Sequence, residues 1–436
     1  MPCIAALLLV SGCYKSSGSK EDESDASGLD TDTNTGVGAD ADSDSDTDAD
    51  SDVDTDSDSD SDTDIDADTD TDSDVDTDTD TDTNIDTDTD NDETTTDEEI
   101  VHDYEGWVVG WSGNSDNQQG IVWHDDHGTW MREELPIVPR RLNDVCFLTA
   151  DNGWAVGSIE EDSSEKGLIL HRNETEWERV NLPNVQCIEF SRVEFIDADN
   201  GWALCSQAEN NIFAYRFTQG DWEAVGGLAY GPYFVREKGD IAPLASNHVF
   251  VSGILDSFFE YLDGQIAMLL WKDSFDWFEG MQIVGSDDGY LARCMWRADY
   301  YSLVFYRLGD EKTWTLVEEE IPFSGCVGDF ARSKDGTWYA AVFGSNAPVL
   351  KQSPGEAWQS METPPLLYQS RWSGLFDVDF PADDFAVGVG EDSESHGTDA
   401  DVHGYVIRYD GEKWTRINRL SGEYEFYQGV SYVSSL

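Results

Sequence analysis

The sequence predicts an all-β chain: a seven-bladed β-propeller closed by its C-terminal strand and preceded by a disordered acidic linker. Three observations predict it. The segment Gly429-Val430-Ser431-Tyr432-Val433 has the form of a repeat's opening strand, while the first repeat, Gly106-Trp107-Val108-Val109-Gly110, has no such strand before it. A Trp closes each unit at Trp130, Trp177, Trp222, Trp277, Trp314, Trp358 and Trp414, at intervals of roughly 37 to 56 residues, the range of propeller blades. Finally, apolar runs are short, alternate with period two and are bounded by turns, and none sustains a helical period beyond two turns.

Each unit reads as four strands. The inner strand carries a Val-x-Phe pattern, as in Asp144-Val145-Cys146-Phe147 and Asp377-Val378-Asp379-Phe380. A turn such as Asp151-Asn152-Gly153 leads into the second strand, Trp154-Ala155-Val156-Gly157. Third strands include Leu168-Ile169-Leu170-His171-Arg172 before Asn173-Glu174, and Tyr405-Val406-Ile407-Arg408-Tyr409 before Asp410-Gly411. Asp-Gly between alternating runs marks a hairpin, because few residues tolerate the positive φ of its turn. The outer strand bears the Trp, a large ring suited to fill the wedge between adjacent sheets. Closure by the C-terminal strand would remove the bare edge that an open array leaves.

The net charge of −67 over 436 residues is unevenly placed. From Glu21 to Glu99 there is no Lys or Arg, and Asp alternates with Ser or Thr, as in Asp56-Ser57-Asp58-Ser59-Asp60. Such a stretch cannot bury enough apolar area to offset its ordering entropy, and its charges repel. It is expected to be an extended stalk, with a contour of roughly 250 Å at about 3.3 Å per residue. Asp-x-Asp-x-Asp also matches the first half of a calcium loop, but the turn glycine and terminal glutamate of that loop are missing. Nucleic acid is disfavoured as a partner by the acidic balance.

Ahead of the stalk, Ile4-Ala5-Ala6-Leu7-Leu8-Leu9-Val10 is too short to span a bilayer and runs into Ser11-Gly12-Cys13. Small residues before a cysteine resemble the lipobox of bacterial lipoproteins. That resemblance implies that Cys13 becomes a lipidated N-terminus, so that the membrane is a partner through a lipid anchor. Met1-Pro2 lacks the usual basic residue of such leaders, and a chance Leu-rich start is the alternative. Tyr14 rather than Asp follows the cysteine, which points to the outer membrane or cell surface if the host is Gram-negative. The expected organisation is a signal peptide over 1–13, a linker over 14–100 and the propeller over 101–436.

Asp151-Asn152-Gly153-Trp154-Ala155-Val156-Gly157 and its echo Asp199-Asn200-Gly201-Trp202-Ala203-Leu204 resemble the repeats of bacterial neuraminidase-like propellers, the photosystem II assembly-factor type in particular. The resemblance covers nearly all of the chain from Glu105 to Leu436 and implies a binding or assembly role. Ser333-Lys334-Asp335-Gly336-Thr337-Trp338 departs from the Asp-box spacing, so that motif is not carried over.

Ligands are expected at loops between second and third strands and between units. Tyr230, Tyr233 and Arg236 form one aromatic-plus-Arg group there, Phe259 and Tyr261 a second, and Tyr368, Arg371 and Trp372 a third. Such groups make binding hot spots, although the same rings could instead cover unit junctions. Glu391, Asp392, His396, Asp399, Asp401 and His403 crowd a loop that could wrap a cation, calcium by its oxygens or zinc by its histidines; a solvated acidic loop is the alternative. No other cofactor is expected.

Cys146, Cys187, Cys205, Cys294 and Cys326 lie in the folded part, an odd number, so at least one thiol is expected free. Cys187 with Cys205 and Cys294 with Cys326 are the pairs to test, with buried thiols the alternative. The composite expectation is a non-catalytic binding propeller anchored at the cell envelope, with a protein or glycan partner. A sialidase-like or other glycan-cleaving enzyme is the competing class. Against it, the first arginine motif of sialidases is absent, and Val138-Pro139-Arg140-Arg141 has the wrong order.

Overall fold

A computed structural model describes residues 101–114, 116–182, 187–207, 212–229, 239–252, 258–270, 277–297, 300–309, 313–317, 325–344, 348–368, 373–393, 402–417, 420 and 425–435. The expected leader, Cys13 and the acidic linker lie outside these residues. The described chain is built of strands joined by turns, and no helix among these residues is long and apolar enough to cross a membrane.

Twenty-eight strands fall into sheets whose neighbours are antiparallel. One joins the two ends of the folded part: β28 (Glu425–Ser434), β1 (Tyr104–Ser112), β2 (Gln119–Asp126) and β3 (Thr129–Arg132). Val430 pairs with Val108 and Tyr432 with Gly106, so the C-terminal segment lies hydrogen-bonded beside β1. The next sheets are consecutive meanders. They are β4 (Arg141–Thr149), β5 (Asn152–Glu161), β6 (Ser164–Asn173) and β7 (Glu176–Arg179), then β8 (Cys187–Asp197), β9 (Asn200–Gln207), β10 (Ile212–Thr218) and β11 (Asp221–Ala229). There follow β12 (Asp240–Ala245), β13 (His248–Ser252), β14 (Phe258–Leu262) and β15 (Gln265–Leu270), and then β16 (Trp277–Gly285), β17 (Asp288–Arg297), β18 (Tyr300–Gly309) and β19 (Thr313–Leu316).

The remaining strands form one eight-stranded sheet: β20 (Cys326–Arg332), β21 (Trp338–Phe343), β22 (Val349–Gln352), β23 (Gln359–Ser360), β24 (Gly374–Ala382), β25 (Phe385–Ser393), β26 (Val402–Tyr409) and β27 (Trp414–Arg416). Its halves are joined by the single pair Phe343 with Gly374, so β20–β23 and β24–β27 repeat the same four-strand plan.

The first strands of these units, β28, β4, β8, β12, β16, β20 and β24, each contact the next, and β24 contacts β28. Their side chains link the units through the backbone. Asp144 accepts from the Val193 N–H (2.8 Å), Asp240 from Met281 (2.6 Å), Asp377 from Val430 (2.8 Å) and Asp379 from Tyr432 (2.6 Å). Ser431 Oγ accepts from the Phe147 N–H at 3.0 Å. Buried N–H groups need such partners wherever inner strands do not pair with one another.

Farther out, an aromatic on the second strand of several units meets one on the next unit's first strand. Trp107 stacks on Phe147 (centroids 3.5 Å), Trp154 on Phe195 (5.0 Å) and Tyr339 on Phe380 (3.7 Å). Phe385 of β25 likewise meets Tyr432 of β28 at 5.3 Å. The outer-strand Trp stands edge-on to the inner ring, as Trp177 does to Phe147 (87°), Trp222 to Phe195 (87°) and Trp414 to Phe380 (83°). Burying each ring contributes about 1.5 to 3 kcal/mol, so the core is a series of wedges between sheets.

Trp277 departs from the expected plan. It opens β16 rather than closing the preceding unit, whose outer strand is β15 with the sequence Gln265-Ile266-Ala267-Met268-Leu269-Leu270. The hairpin Asp263-Gly264, both residues at positive φ, sets that register, and it places Ile266 where other outer strands place Trp.

Both expected cysteine pairs are disulfides. Cys187–Cys205 spans β8 and β9, and Cys294–Cys326 joins β17 to β20, tying two neighbouring units together rather than closing within one. Cys146 is fully buried and also disulfide-bonded, so among the described residues the free thiol expected from the odd count is not found.

Candidate functional site

At the end of β25 the chain builds a fixed loop platform. Asp392 is fully buried, and its two carboxylate oxygens accept the backbone N–H groups of Leu367 (2.7 Å) and Tyr368 (2.9 Å). Arg416 Nη1 lies 3.4 Å from the same carboxylate, and its guanidinium packs over the Tyr405 ring, 5.2 Å from its centroid. Tyr405 in turn donates its hydroxyl to the Pro364 carbonyl at 2.7 Å, holding the same connection from beneath. Ser373 Oγ accepts from the Ser393 N–H and donates to the Ser393 carbonyl, both at 3.0 Å, and Ser393 Oγ donates to Glu391.

Residues 361–368 are thereby held against β25 and β26 by at least three buried polar anchors. Their product is Tyr368, half-buried and parallel to the His403 ring (7° between planes, centroids 6.3 Å), with Leu367 beside it 67% exposed. A ring fixed through its own backbone amide loses little entropy on contact, which is what a binding anchor requires.

Tyr368, Asp392 and His403, singled out on two separate grounds in the sequence, thus belong to one constellation. Asp392 and Glu391 are buried members of β25, where Asp392 accepts two backbone N–H groups and Glu391 accepts from Ser393 Oγ, and not members of an open acidic loop. Phe259 and Tyr261, expected at a loop, lie instead on β14 and are buried, 7% and 6% exposed, with Tyr261 packing against Trp202 at 5.5 Å. The period-two alternation of β14 turns Tyr261 inward to fill a junction between sheets. Tyr230, Tyr233, Arg236, Arg371, Trp372, His396, Asp399 and Asp401 lie outside the described residues.

One trio escaped the sequence reading. Glu105, Asp126 and His127 bring one ligand atom each within 4.8 Å of one another beside the β2–β3 turn, where Glu105 and Asp126 are register partners. His127 Nδ1 lies 2.6 Å from Asp126 Oδ1, and that hydrogen bond raises the histidine above its ordinary value. Residues so far apart in sequence carry no motif, and only the strand register brings them together.

The turn after β20 is another local finding. Asp335 accepts from Ser333 Oγ (2.6 Å) and the Thr337 N–H (2.9 Å), and these bonds, the Ser333 one foremost, hold its carboxyl below the usual range.

No family model matches this sequence, and no curated protein matches it. Solved structures do resemble the fold. A protein from Lactobacillus plantarum superposes with a TM-score of 0.50 at 12% identity, over 76% of this chain and 99% of its own. YCF48 bound to a D1 peptide gives 0.42 at 14% identity, over 71% and 95%. The β-propeller domain of the Trilobed protease from Pyrococcus furiosus gives 0.41 at 10% identity, over 72% and 92%. The fold is a β-propeller. At such identities the likeness speaks to the fold of this propeller alone.

Proposed function

We propose that the chain is a seven-bladed propeller, closed by β28, that serves as a non-catalytic binding module held at the cell envelope by a lipid on Cys13. Supporting the blade count are the repeated four-strand plan and the shared β24–β28 and Phe385–Tyr432 contacts between last and first units. Supporting the anchor are the lipobox-like Ser11-Gly12-Cys13 and the acidic spacer behind it.

One observation carries the binding reading. Asp392 spends a fully buried carboxylate on two loop amides, so that Tyr368 and Leu367 are presented at the face where second-to-third-strand and inter-blade loops meet. Preorganised aromatic anchors of this kind dominate protein interfaces. The partner is accordingly an envelope protein, with a glycan stacked on Tyr368 the narrower variant.

The test is capture of envelope protein by the purified full chain, compared with Tyr368→Ala. Loss of a central anchor of about 2 kcal/mol corresponds to roughly 30-fold weaker binding. Capture that is unchanged in Tyr368→Ala, or turnover of chromogenic glycosides abolished by a single carboxylate substitution, would reject this reading.

A further inference from the structure

Apolar side chains are unevenly spread over the rim of the propeller. Among the described residues nine large ones are exposed, and five of these, Leu262, Ile266, Leu269, Leu316 and Val317, stand in the β14–β15 hairpin or at the end of β19. The two elements are neighbours: Trp314 of β19 meets Phe258 edge-on at 5.2 Å, and Phe258 is the register partner of Leu270 in β15. Exposed apolar surface gathered in this way marks an interaction site, whereas single scattered residues do not.

β15 also leaves its free edge unguarded. Outer strands β3, β7, β11 and β27 carry Arg, Glu or Asp, the kind of residue that keeps an edge from pairing further. The six residues of β15 carry no charge, and the uncharged β19 and β23 are shorter. Gln265, Ile266, Ala267 and Leu269 are all exposed, and among the described residues β15 pairs with β14 alone. The turn decides which backbone groups are free. Asp263-Gly264 is a two-residue loop with both φ positive, so the residues flanking it, Leu262 and Gln265, exchange both hydrogen bonds. By alternation Ala267 bonds Glu260 in the same way, and the N–H and C=O of Ile266 point outward.

Charge selects the occupant. Residues 239–270, which supply this unit, include Asp240, Asp256, Glu260 and Asp263 but neither Lys nor Arg. Asp240 is buried at the hub, where the first strands meet, and Glu260 is hydrogen-bonded to the buried His248 at 2.7 Å. Asp263 stands exposed at the hairpin tip, and Asp221 is exposed on the outer strand of the preceding unit. A second copy would bring the same uncompensated acids to the contact. A strand with cations at its ends would complement them.

We propose that the outer edge of β15 is a second binding surface, separate from Tyr368, and that it takes an extended aliphatic segment of a partner protein, flanked by Lys or Arg, as an added strand. Main-chain bonds to the outward groups of Ile266 supply affinity, as in other cases of strand addition. Ile266 and Leu269 lie on opposite faces of β15, so alternate aliphatic side chains of the segment find an apolar neighbour on either face.

The test is fluorescence polarisation of the full chain with three labelled, capped peptides: Lys-Thr-Val-Thr-Val-Thr-Lys, the same strand with Glu at both ends, and Lys-Thr-Pro-Pro-Val-Thr-Lys. The acidic linker draws the two Lys-ended peptides alike, so the difference between them reports on strand pairing. The unbroken Lys-ended strand is expected to bind about tenfold tighter than either of the others. Ile266→Pro, which removes an outward N–H and no bond to β14, should erase that advantage. Equal binding of the two Lys-ended peptides, equal binding of the Glu-ended strand, an advantage that survives Ile266→Pro, or no binding at all would overturn the proposal. So would a dimer in sedimentation that Ile266→Pro dissolves, since the edge would then belong to a second copy. Should Ile266→Pro fail to fold, N-methylation of the unbroken Lys-ended peptide replaces it. Methyl groups on alternate amides should abolish binding in one phase and spare it in the other, and equal effects in both phases are equally fatal.

Discussion

Two adjacent joints solve the same packing problem with different chemistry. Between the β4–β7 and β8–β11 sheets, Trp222 is 6% exposed and stands edge-on to Trp154 and Phe195 at the rim, while at the hub Asp144 accepts the Val193 N–H. Between the β8–β11 and β12–β15 sheets the outer position is Ile266, 43% exposed, and its register partner Tyr261 packs on Trp202 in place of a Trp. The hub of this second joint has the Arg192–Asp240 pair instead of an Asp-to-backbone link. What the two joints share is therefore a filled wedge, not a residue type. A side chain of suitable volume from the third strand replaces one from the fourth.

The largest break in that comparison should come from Trp222→Ala. Truncating a buried Trp leaves a cavity that the surrounding sheets cannot fully close, and the expected loss is about 3 to 5 kcal/mol. Urea unfolding at constant m-value would measure it. A loss below about 1 kcal/mol would show that the rim Trp is not what holds this joint.

Arg192→Leu should cost somewhat less, about 3 kcal/mol near neutral pH, because the guanidinium keeps 18% of its side chain exposed while Asp240 is left buried and unpaired. The cost has a pH signature. Burial raises Asp240 to about 6, with Arg192 opposing that rise. A carboxyl whose folded-state pKa lies above its unfolded value carries no penalty below about pH 4, where both states are protonated, and destabilises the fold as pH rises through the folded value. Removing the opposing charge pushes Asp240 higher still. The variant's deficit should therefore be small at pH 4 and grow through pH 6 to 7, as read from paired unfolding curves. A deficit independent of pH would mean that Arg192 contributes packing and not charge.

The contrast between the joints also explains what could be read from the sequence. Trp154 and Trp202 follow hairpin turns in second strands, and Trp177, Trp222 and Trp414 stand shortly after turns in outer strands, so local chemistry announced them. Gly429 to Val433 was legible as a first strand for the same reason, and β1 pairs with it. Where β15 substitutes aliphatic residues, the periodic Trp had no representative, and Trp277 filled the gap in the count although it opens the next sheet. Tyr261 looked like a loop aromatic because its role depends on the register across a hairpin whose outer strand is atypical. The hub was illegible for a different reason. An Asp beside Val in a short strand is compatible with a solvated edge, and only the convergence of first strands from distant parts of the chain buries it. The candidate site was half legible: Tyr368, Asp392 and His403 each drew attention, but the two amide bonds to Asp392 that unite them arise from tertiary contact.

The smallest expected effect sharpens the comparison most. Ile266 occupies the outer-strand position held by Trp elsewhere, so a reading based on repeat position alone assigns it the same weight as Trp222. Its exposure assigns it very little: truncation of a side chain that remains largely in water changes stability by no more than about 0.5 kcal/mol. Ile266→Ala should therefore unfold within that margin of the wild type, while Tyr261→Ala at the opposing register position should cost several times more, since it removes the ring that fills the wedge. If the ranking were reversed, with Ile266→Ala the more damaging, the outer strand would be carrying the joint after all. The volume exchanged between third and fourth strands would then no longer account for how this unit closes on its neighbour.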